Sequence, residues 1–232
     1  MLVQYESKQD IGQEAKCMRS YLLRYRCDLC YHRSMDYIIY KKGLDDREIF
    51  SEQDDYELWE RLVAEYLSPY HEEIDSPYKG LRPYQKQHKQ DMNLFGKIQL
   101  LAYCLMPTYI YMVVRENQKG ALTALMRRVT TYYSMIYNRK RKRSGYVFAG
   151  SFKCKKISGV NNLGDTIRLV HEIPASKTVR RFGVVQTTTG ANASEYPFSS
   201  NGDYVSGKPR EWVTVIDLPE PVKGIESDKL PW

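Results

Sequence analysis

Leu100-Leu-Ala-Tyr-Cys-Leu-Met-Pro-Thr-Tyr-Ile-Tyr-Met-Val-Val-Arg115 is a run of apolar and aromatic residues that is interrupted at Met106-Pro107. Side chains on its second half alternate along Tyr109-Ile-Tyr-Met-Val113, which is the period of two that a β-strand imposes. Proline sets a fixed backbone angle and donates no hydrogen bond, so it is tolerated at a turn and not within a paired strand. The stretch therefore predicts two strands joined at Met106-Pro107.

Two further strands belong to the same predicted sheet, one on each side of this pair in the sequence. Apolar and β-branched residues bounded by glycine or proline mark them. The predicted strands span 36–42, 97–105, 109–115 and 146–157. Helices are predicted between them, and that order of elements indicates an α+β sandwich with an antiparallel sheet.

Three helices follow from apolar residues at helical spacing. The first comes after a capping-box pattern, Ser51 and Asp54, and is closed by Pro69. The second is predicted at about 121–138, with its apolar stripe toward the core. The third is opened by an asparagine at position 161 or 162 and is ended by a proline at position 174.

Charge is distributed unevenly along the chain. The formal net charge is +7, yet the segment 45–75 carries twelve acidic residues and only two basic ones. The segment 117–164 contains no acidic residue and eleven basic ones. Such polarity is expected of a protein that meets a polyanion on one side.

Most of the basic residues of 117–164 lie on the second helix, just after it, or on the last predicted strand. A short basic run is often no more than a solvated helix end, but here it lies inside the fold between a helix and a strand. We therefore predict that nucleic acid is bound here, mainly through phosphate contacts. The candidate binding residues are Arg127, Arg128, Arg139, Lys140, Arg141, Lys142, Arg143, Lys153, Lys155 and Lys156.

The organisation of the chain is predicted as one main domain, 36–200, with a partly helical N-terminal extension, 1–35, and an extended C-terminal tail, 201–232. A loop insertion is predicted at about 68–93, where tyrosines alternate with basic residues. Five cysteines at irregular spacing favour reduced thiols in a cytoplasm over a disulfide framework. No apolar run approaches the roughly 18 residues needed to span a membrane.

A zinc site at the N-terminus is the weaker of two explanations for the clustered Cys17, Cys27, Cys30 and His32. Structural zinc sites usually combine one Cys-x-x-Cys pair with a second ligand pair at a set distance, and no second pair is present. Burial of small apolar thiols is the plainer account. His171, near the end of the third helix, is expected to face solvent.

The central hairpin resembles the metal-binding strand of the IS200-like single-tyrosine transposases, in particular the REP-associated branch. The family pattern is Leu-Met-Pro-Asn-His-hydrophobic-His, in which the two imidazoles bind a divalent cation. Thr108, Tyr109 and Tyr111 stand at the asparagine and histidine positions here. A protonated phenol is a poor ligand for magnesium or manganese, so the resemblance implies that the metal site is lost.

The third helix resembles the family's nucleophile helix, Tyr-Ile-x-Leu-Asn-Pro-Val. Arg168 and Pro174 keep the register, which places Leu169 at the nucleophile and Ile173 at the metal-binding asparagine. Neither side chain can attack a phosphate or coordinate a metal. The degenerate catalytic positions are therefore Tyr109, Tyr111, Leu169 and Ile173, and no metal or other cofactor is expected.

Other matches occur in the family's order, from Asp36 in the first strand to Glu195-Tyr-Pro-Phe-Ser-Ser200 near the end of the domain. The resemblance implies a ferredoxin-like sandwich, with an antiparallel sheet of about four to five strands and helices packed on it. It also implies that the partner is hairpin or single-stranded DNA. The expected function is DNA binding by a catalytically inactive, transposase-like protein.

Two alternatives remain open from the sequence. The chain could be an active transposase or DNA nuclease with a substitute nucleophile such as Tyr132, Tyr133 or Tyr146. It could instead be a protein-interaction module whose basic face binds an acidic partner. Metal dependence distinguishes the first alternative, and salt-dependent DNA binding distinguishes the second.

Overall fold

The helices and strands are given by a computed structural model, which describes residues 34–69, 83–175, 178–181, 184–187 and 195–219. The strands are β1 Met35–Lys42, β2 Ile98–Met106, β3 Tyr109–Glu116, β4 Lys153–Ile157, β5 Thr178–Arg181 and β6 Val184–Thr187. The helices are α1 Gln53–Leu67, α2 Pro83–Met92, α3 Ala121–Lys140, α4 Val160–Glu172 and α5 Asn201–Ser206. Single 3-10 turns occupy Leu44–Asp46 and Ile173–Ala175.

The main sheet has four strands in the order β2-β3-β1-β4, and every neighbouring pair is antiparallel. α1 lies in the connection from β1 to β2, and α3 connects β3 to β4. This β-α-β-β-α-β order is the ferredoxin-like arrangement. The predicted fold class is confirmed, and β5 and β6 form a separate two-stranded hairpin.

The last strand of the sheet is shorter than predicted. Strand geometry begins only at Lys153, whereas 146–152 forms a loop attached to the sheet by a single bridge between Gly43 and Phe148. Gly145 and Gly150 have φ of 91° and 46°, which extended strands do not contain. These two glycines explain why the predicted strand 146–157 begins late.

Helices pack on both faces of the sheet. Ile110, Met112 and Val114 of β3 contribute to a core shared with α1 and α3. Tyr109, Tyr111 and Val113 alternate with them and belong to a second core built against α4. Successive side chains of a strand point to opposite faces, so alternate residues of β3 enter the core on one face and the core on the other.

The cap of α1 lies one residue later than predicted. Asp55, rather than Asp54, accepts hydrogen bonds from the backbone N–H groups of Ser51 at 3.0 Å and Glu52 at 3.2 Å. Burial by itself would raise the pKa of Asp55. Hydrogen bonds from Arg141 and from these two N–H groups, together with the charge of the guanidinium, hold that pKa below its ordinary value.

The free edge of β2 is covered by the C-terminal part of the chain. The backbone N–H of Leu105 donates to Phe198 O at 2.9 Å, and that of Thr214 donates to Leu100 O at 2.8 Å. In place of an extended tail, 201–219 starts with the short helix α5 and buries Val213. An apolar sheet edge is thereby closed, which prevents pairing with other chains.

Part of the predicted insertion, 68–93, is regular structure, because α2 occupies Pro83–Met92. The rest of that prediction, 70–82, lies outside the described residues, as does the N-terminal extension up to position 33. Within the described part, no helix combines the length and apolar character needed to cross a membrane.

Candidate nucleic-acid interface

One end of the sheet gathers several of the predicted positions, and we call it the Pro107 end after its turn, Met106-Pro107-Thr108. Pro107 O accepts hydrogen bonds from the N–H groups of Ile49 at 2.7 Å and Phe50 at 3.0 Å. α3 runs back along the sheet from the far end of β3, so its C-terminus arrives here, where Tyr137 Oη donates to Glu48 O at 2.9 Å. β4 also begins here, because Lys153 is paired with Tyr40 at the end of β1.

The two tyrosines at the degenerate metal positions are buried packing residues. Tyr109 and Tyr111 both point toward α4, and their ring centroids lie 5.4 Å apart. The ring of Tyr40 lies 5.0 Å from Tyr111 and 6.1 Å from Tyr109. Tilted and edge-on contacts of this kind stabilise a hydrophobic cluster.

The two degenerate positions of the nucleophile helix belong to the same cluster. Ile173 is buried in it, and Leu169 is half-buried against it. The structure therefore brings all four degenerate positions, Tyr109, Tyr111, Leu169 and Ile173, into one hydrophobic core. In the described part of the chain, no three His, Cys, Asp or Glu side chains are placed to hold a metal ion together. The alternative zinc ligands Cys17, Cys27, Cys30 and His32 lie outside the described residues.

The cationic run comprises residues 139–143. Two of its members, Lys140 and Arg141, are held by acidic residues at the start of α1. Lys140 Nζ lies 2.8 Å from Glu52 Oε2 and 3.2 Å from Asp54 Oδ2. Arg141 donates to both carboxylate oxygens of Asp55, at 2.6 and 3.2 Å. Its guanidinium also lies 3.9 Å from the centroid of the Tyr137 ring. Arg141 therefore ties α3 to α1, and the hydrogen bond to Asp55 raises its pKa further.

The other three members of the run, Arg139, Lys142 and Arg143, form no ion pair with any described acidic residue. We call them the three unpaired cations. Arg139 and Lys142 are exposed. Arg143 is half-exposed, donates long hydrogen bonds to the carbonyls of Ser144 and Tyr146, at 3.5 and 3.4 Å, and holds its guanidinium 5.9 Å from the centroid of the Tyr137 ring. These charges are available to an external anion.

Arg127 and Arg128 lie away from the run. They precede Lys140 by about 13 residues on the same helix, which corresponds to roughly 20 Å along its axis. Arg127 is exposed, but Arg128 is half-buried, donates to Met92 O and holds its guanidinium 5.8 Å from the Tyr66 ring. Arg128 thus fastens α3 to the C-terminal end of α2.

The three lysines of β4 are exposed and are divided between the two faces of the sheet. Lys153 and Lys155 are paired with Tyr40 and Ile38, so they share the face of α4. Lys156 is paired with Tyr37 and shares the opposite face. Lysines on an edge strand also discourage pairing with other chains, so their charge has a structural use beside any binding role.

Lys41 is a buried cation that the sequence pattern did not reveal. It is the residue before the last of β1, and its ammonium donates to the carbonyls of Ala149, at 3.3 Å, and Gly150. Burial lowers its pKa. The side chain fixes the loop that leads from α3 to β4, and so it positions the start of the edge strand.

His171 is buried, so the expectation that it faces solvent is wrong. Its Nε2 lies 2.8 Å from Ser200 Oγ, and its ring packs edge-on against Tyr204. Ser200 Oγ also accepts the backbone N–H of Tyr103 at 2.9 Å. The contact connects α4 to the covered edge of β2. Ser200 and Tyr204 lie about 30 residues after His171 in the sequence, so the residues next to the histidine gave no sign of its burial.

Acid should destabilise the protein through His171. Burial lowers its pKa to about 4, against a weaker opposite effect of the Asp203 carboxylate. In the unfolded chain the ordinary pKa is near 6.5, so the unfolded state takes up an extra proton between about pH 6.5 and 4. Stability from this group is fully present above that window and falls by about 2–3 kcal/mol as the pH drops to the lower end of it.

Urea unfolding of the native protein and of His171→Gln, at about pH 7.5 and 4.5, measures this effect. The difference between the two pH values should be smaller in the variant, because the carboxylates titrate equally in both proteins. Equal pH dependence of the two proteins would show that His171 is not the group responsible.

Tyr133, one of the alternative nucleophiles, is out of reach of a DNA phosphate in this structure. Tyr133 is fully buried, and its hydroxyl donates to Ile49 O. Desolvation also raises its pKa, which makes the phenolate harder to form. Tyr132 and Tyr146 are exposed.

Comparisons with known proteins give a structural likeness. No protein-family model and no curated protein sequence matches the chain. The chain is similar to the solved structure of a REP-associated tyrosine transposase bound to a REP hairpin. Sequence identity is 10%, the match covers 81% of this chain and 92% of that one, and the TM-score is 0.47.

Proposed function

We propose that this chain is a transposase-like DNA-binding protein that binds hairpin or single-stranded DNA at the Pro107 end and does not cleave it. The observation that carries the proposal is the set of three unpaired cations, Arg139, Lys142 and Arg143, on one turn at the end of α3. The lysines of β4 begin at the same end of the sheet. A cluster of cations of this kind suits a phosphate backbone.

The turn that carries these cations is fixed before any ligand arrives. The N–H of Lys142 donates to Arg139 O at 3.2 Å, and that of Arg143 donates to Asn138 O at 2.9 Å. Asn138 Nδ2 donates to Gly145 O at 2.9 Å and closes the loop. Little backbone entropy is then lost when phosphate binds, which favours affinity.

Two further contacts support the same surface. The Arg141–Asp55 pair anchors the base of the turn to α1, and Lys41 holds the far side of the loop through the carbonyls of Ala149 and Gly150. Arg141 and Lys41 thus stabilise the fold, whereas the three unpaired cations form the second group, which faces solvent. Only the second group is assigned to DNA.

The absence of cleavage is proposed from what occupies the degenerate positions. Tyr109 and Tyr111 are packed rings, and Ile173 is an alkyl side chain within the same core. Catalysis would require polar ligands and a nucleophile that are reachable by a phosphate, and filling that space with hydrophobic side chains removes both. Tyr132 and Tyr146 are exposed, and a cleavage assay tests whether either acts as a substitute nucleophile.

Salt dependence of DNA binding tests the proposal. If about four to six phosphates are neutralised, the logarithm of the association constant should fall against the logarithm of salt concentration with a slope of roughly −4 to −5 on a DNA hairpin. Fluorescence anisotropy of a labelled hairpin over a range of potassium chloride concentrations gives the slope. A slope near zero, or no binding at low salt, would favour the protein-interaction module instead.

A further inference from the structure

We propose that Tyr146 is a stacking platform for an unpaired base, beside phosphate contacts made by Lys142 and Arg143. The inference rests on the proposed DNA-binding function and deepens it, because it says which feature of the DNA, an unpaired base, the Pro107 end recognises. Its substrate class is DNA with at least one unstacked base next to a duplex, such as a hairpin with a single-stranded tail.

Tyr146 is the most exposed aromatic side chain whose burial the structure describes, with 82% of its surface open to solvent. The two residues that follow, Val147 and Phe148, are buried in the core instead. Val147 and Phe148 therefore pack into the core, while the ring of Tyr146 stays in solvent. One exposed ring is common on protein surfaces, so the argument for a ligand depends on the anchored loop and the cations around this ring.

The backbone on both sides of Tyr146 is held in place. Asn138 Nδ2 donates to Gly145 O at 2.9 Å on one side, and the N–H of Leu44 donates to Val147 O at 2.9 Å on the other. Gly145, with φ of 91°, makes the turn that directs the loop outward. The ring is thus presented from a fixed position and not from a loose tip.

The surroundings of the ring favour a nucleotide over an apolar protein surface. Arg143 donates to the Tyr146 carbonyl, and exposed Ser144 and Gly145 precede the ring. A single aromatic ring among cations and polar groups does not make the contiguous apolar patch of a protein interface. Proteins that bind single-stranded nucleic acid combine such rings with a basic groove, because every base has a π-face.

Duplex DNA does not offer this contact, since both faces of each base are covered by its neighbours. The structure thus predicts a preference for DNA with unpaired bases. Removing the ring should weaken binding of such DNA by about tenfold to a hundredfold, which is the range for one base stacked on an aromatic side chain.

Two DNA hairpins of one stem sequence test the inference, one blunt and one with a short single-stranded tail, and each is closed by a flexible glycol linker so that the loop offers no unpaired base. Tyr146→Ala should lower the affinity for the tailed hairpin by at least about tenfold and change the affinity for the blunt hairpin less than about twofold. Tyr146→Trp should keep the affinity for the tail. Phe95→Ala is the matched control, because Phe95 is 52% exposed but follows α2 at the end of the sheet where α3 begins.

The outcomes separate this inference from the proposed function. Salt-dependent binding of both hairpins with no selective loss in Tyr146→Ala would overturn the stacking platform and leave DNA binding intact. Equal loss on both hairpins would also overturn it, because the ring would then support the turn and not a base. No binding of either hairpin by the native protein would overturn both proposals.

Discussion

Replacing Arg139, Lys142 and Arg143 together with alanine should weaken binding of hairpin DNA by roughly two to three orders of magnitude near 0.1 M salt. Each lost phosphate contact removes the release of about one counterion, so the slope of log K against log salt should become shallower by about 2–3. These side chains are exposed or half-exposed and form no ion pair with a described residue, so folding should be little affected. Anisotropy titrations at several salt concentrations measure both quantities.

A matched triple variant separates position from net charge. Arg61, Lys119 and Lys208 are exposed, and their replacement with alanine removes the same formal charge from other parts of the surface. That control should lose far less affinity, because screening confines the influence of an exposed charge to about 10 Å. Equal losses in the two triple variants would mean that binding follows overall charge and that the Pro107 end has no special role.

Arg141→Ala should instead destabilise the fold by about 3 kcal/mol, although Arg141 belongs to the same cationic run. Its partner Asp55 keeps only 2% of its side-chain surface exposed, and removal of the guanidinium would leave that carboxylate buried without its main counter-charge. The contact with the Tyr137 ring would be lost as well. For a chain of this size the melting temperature should fall by about 6–12 °C.

Lys140→Ala is the matched control for Arg141→Ala. Lys140 pairs closely with Glu52 and Asp54, whose side chains are well exposed, and such surface pairs contribute at most about 1 kcal/mol. Its Nζ also lies 3.7 Å from Asp55 Oδ1, a longer contact than the 2.6 Å hydrogen bond from Arg141. The double variant Arg141→Ala, Asp55→Asn should recover part of the lost stability, because the stranded charge is gone. If Arg141→Ala unfolds at the same urea concentration as Lys140→Ala, the Arg141–Asp55 pair is not the anchor proposed for the turn.

The architecture could be predicted because it depends on local patterns. The alternation along β3 and the apolar stripe of α3 each fix one face of an element, and their order along the chain limits the sandwich to few topologies. The start of β4 could not be predicted in the same way. Val147 and Phe148 have the side chains of a strand, but Gly145 and Gly150 take positive φ and turn the chain.

The cationic run shows where sequence reasoning about a site ends. Five consecutive cations predict a basic surface, but the acidic partner of Arg141 lies 86 residues earlier in the chain. Only the packing of α1 beside α3 brings the two together and removes Lys140 and Arg141 from the group available to an external anion. His171 was misjudged for the same reason, since Ser200 reaches it from a distant segment.

The degenerate positions were easier to foresee in one respect. Leu169 and Ile173 are four residues apart and apolar, so they share one helix face that is expected to pack. The packing of Tyr109 and Tyr111 against Tyr40 could not be predicted in this way, because it depends on the pairing register of β1 and β3.

The most direct test of binding without cleavage follows one labelled DNA strand through both steps. A hairpin with single-stranded flanks is incubated with the protein and magnesium or manganese, and equal samples are run on a native gel and on a denaturing gel. The proposed function predicts a shifted complex on the native gel and an intact, unattached strand on the denaturing gel. A shortened strand, or a strand covalently joined to the protein, would contradict the claim that cleavage is lost, and the lack of any shifted complex at low salt would contradict DNA binding.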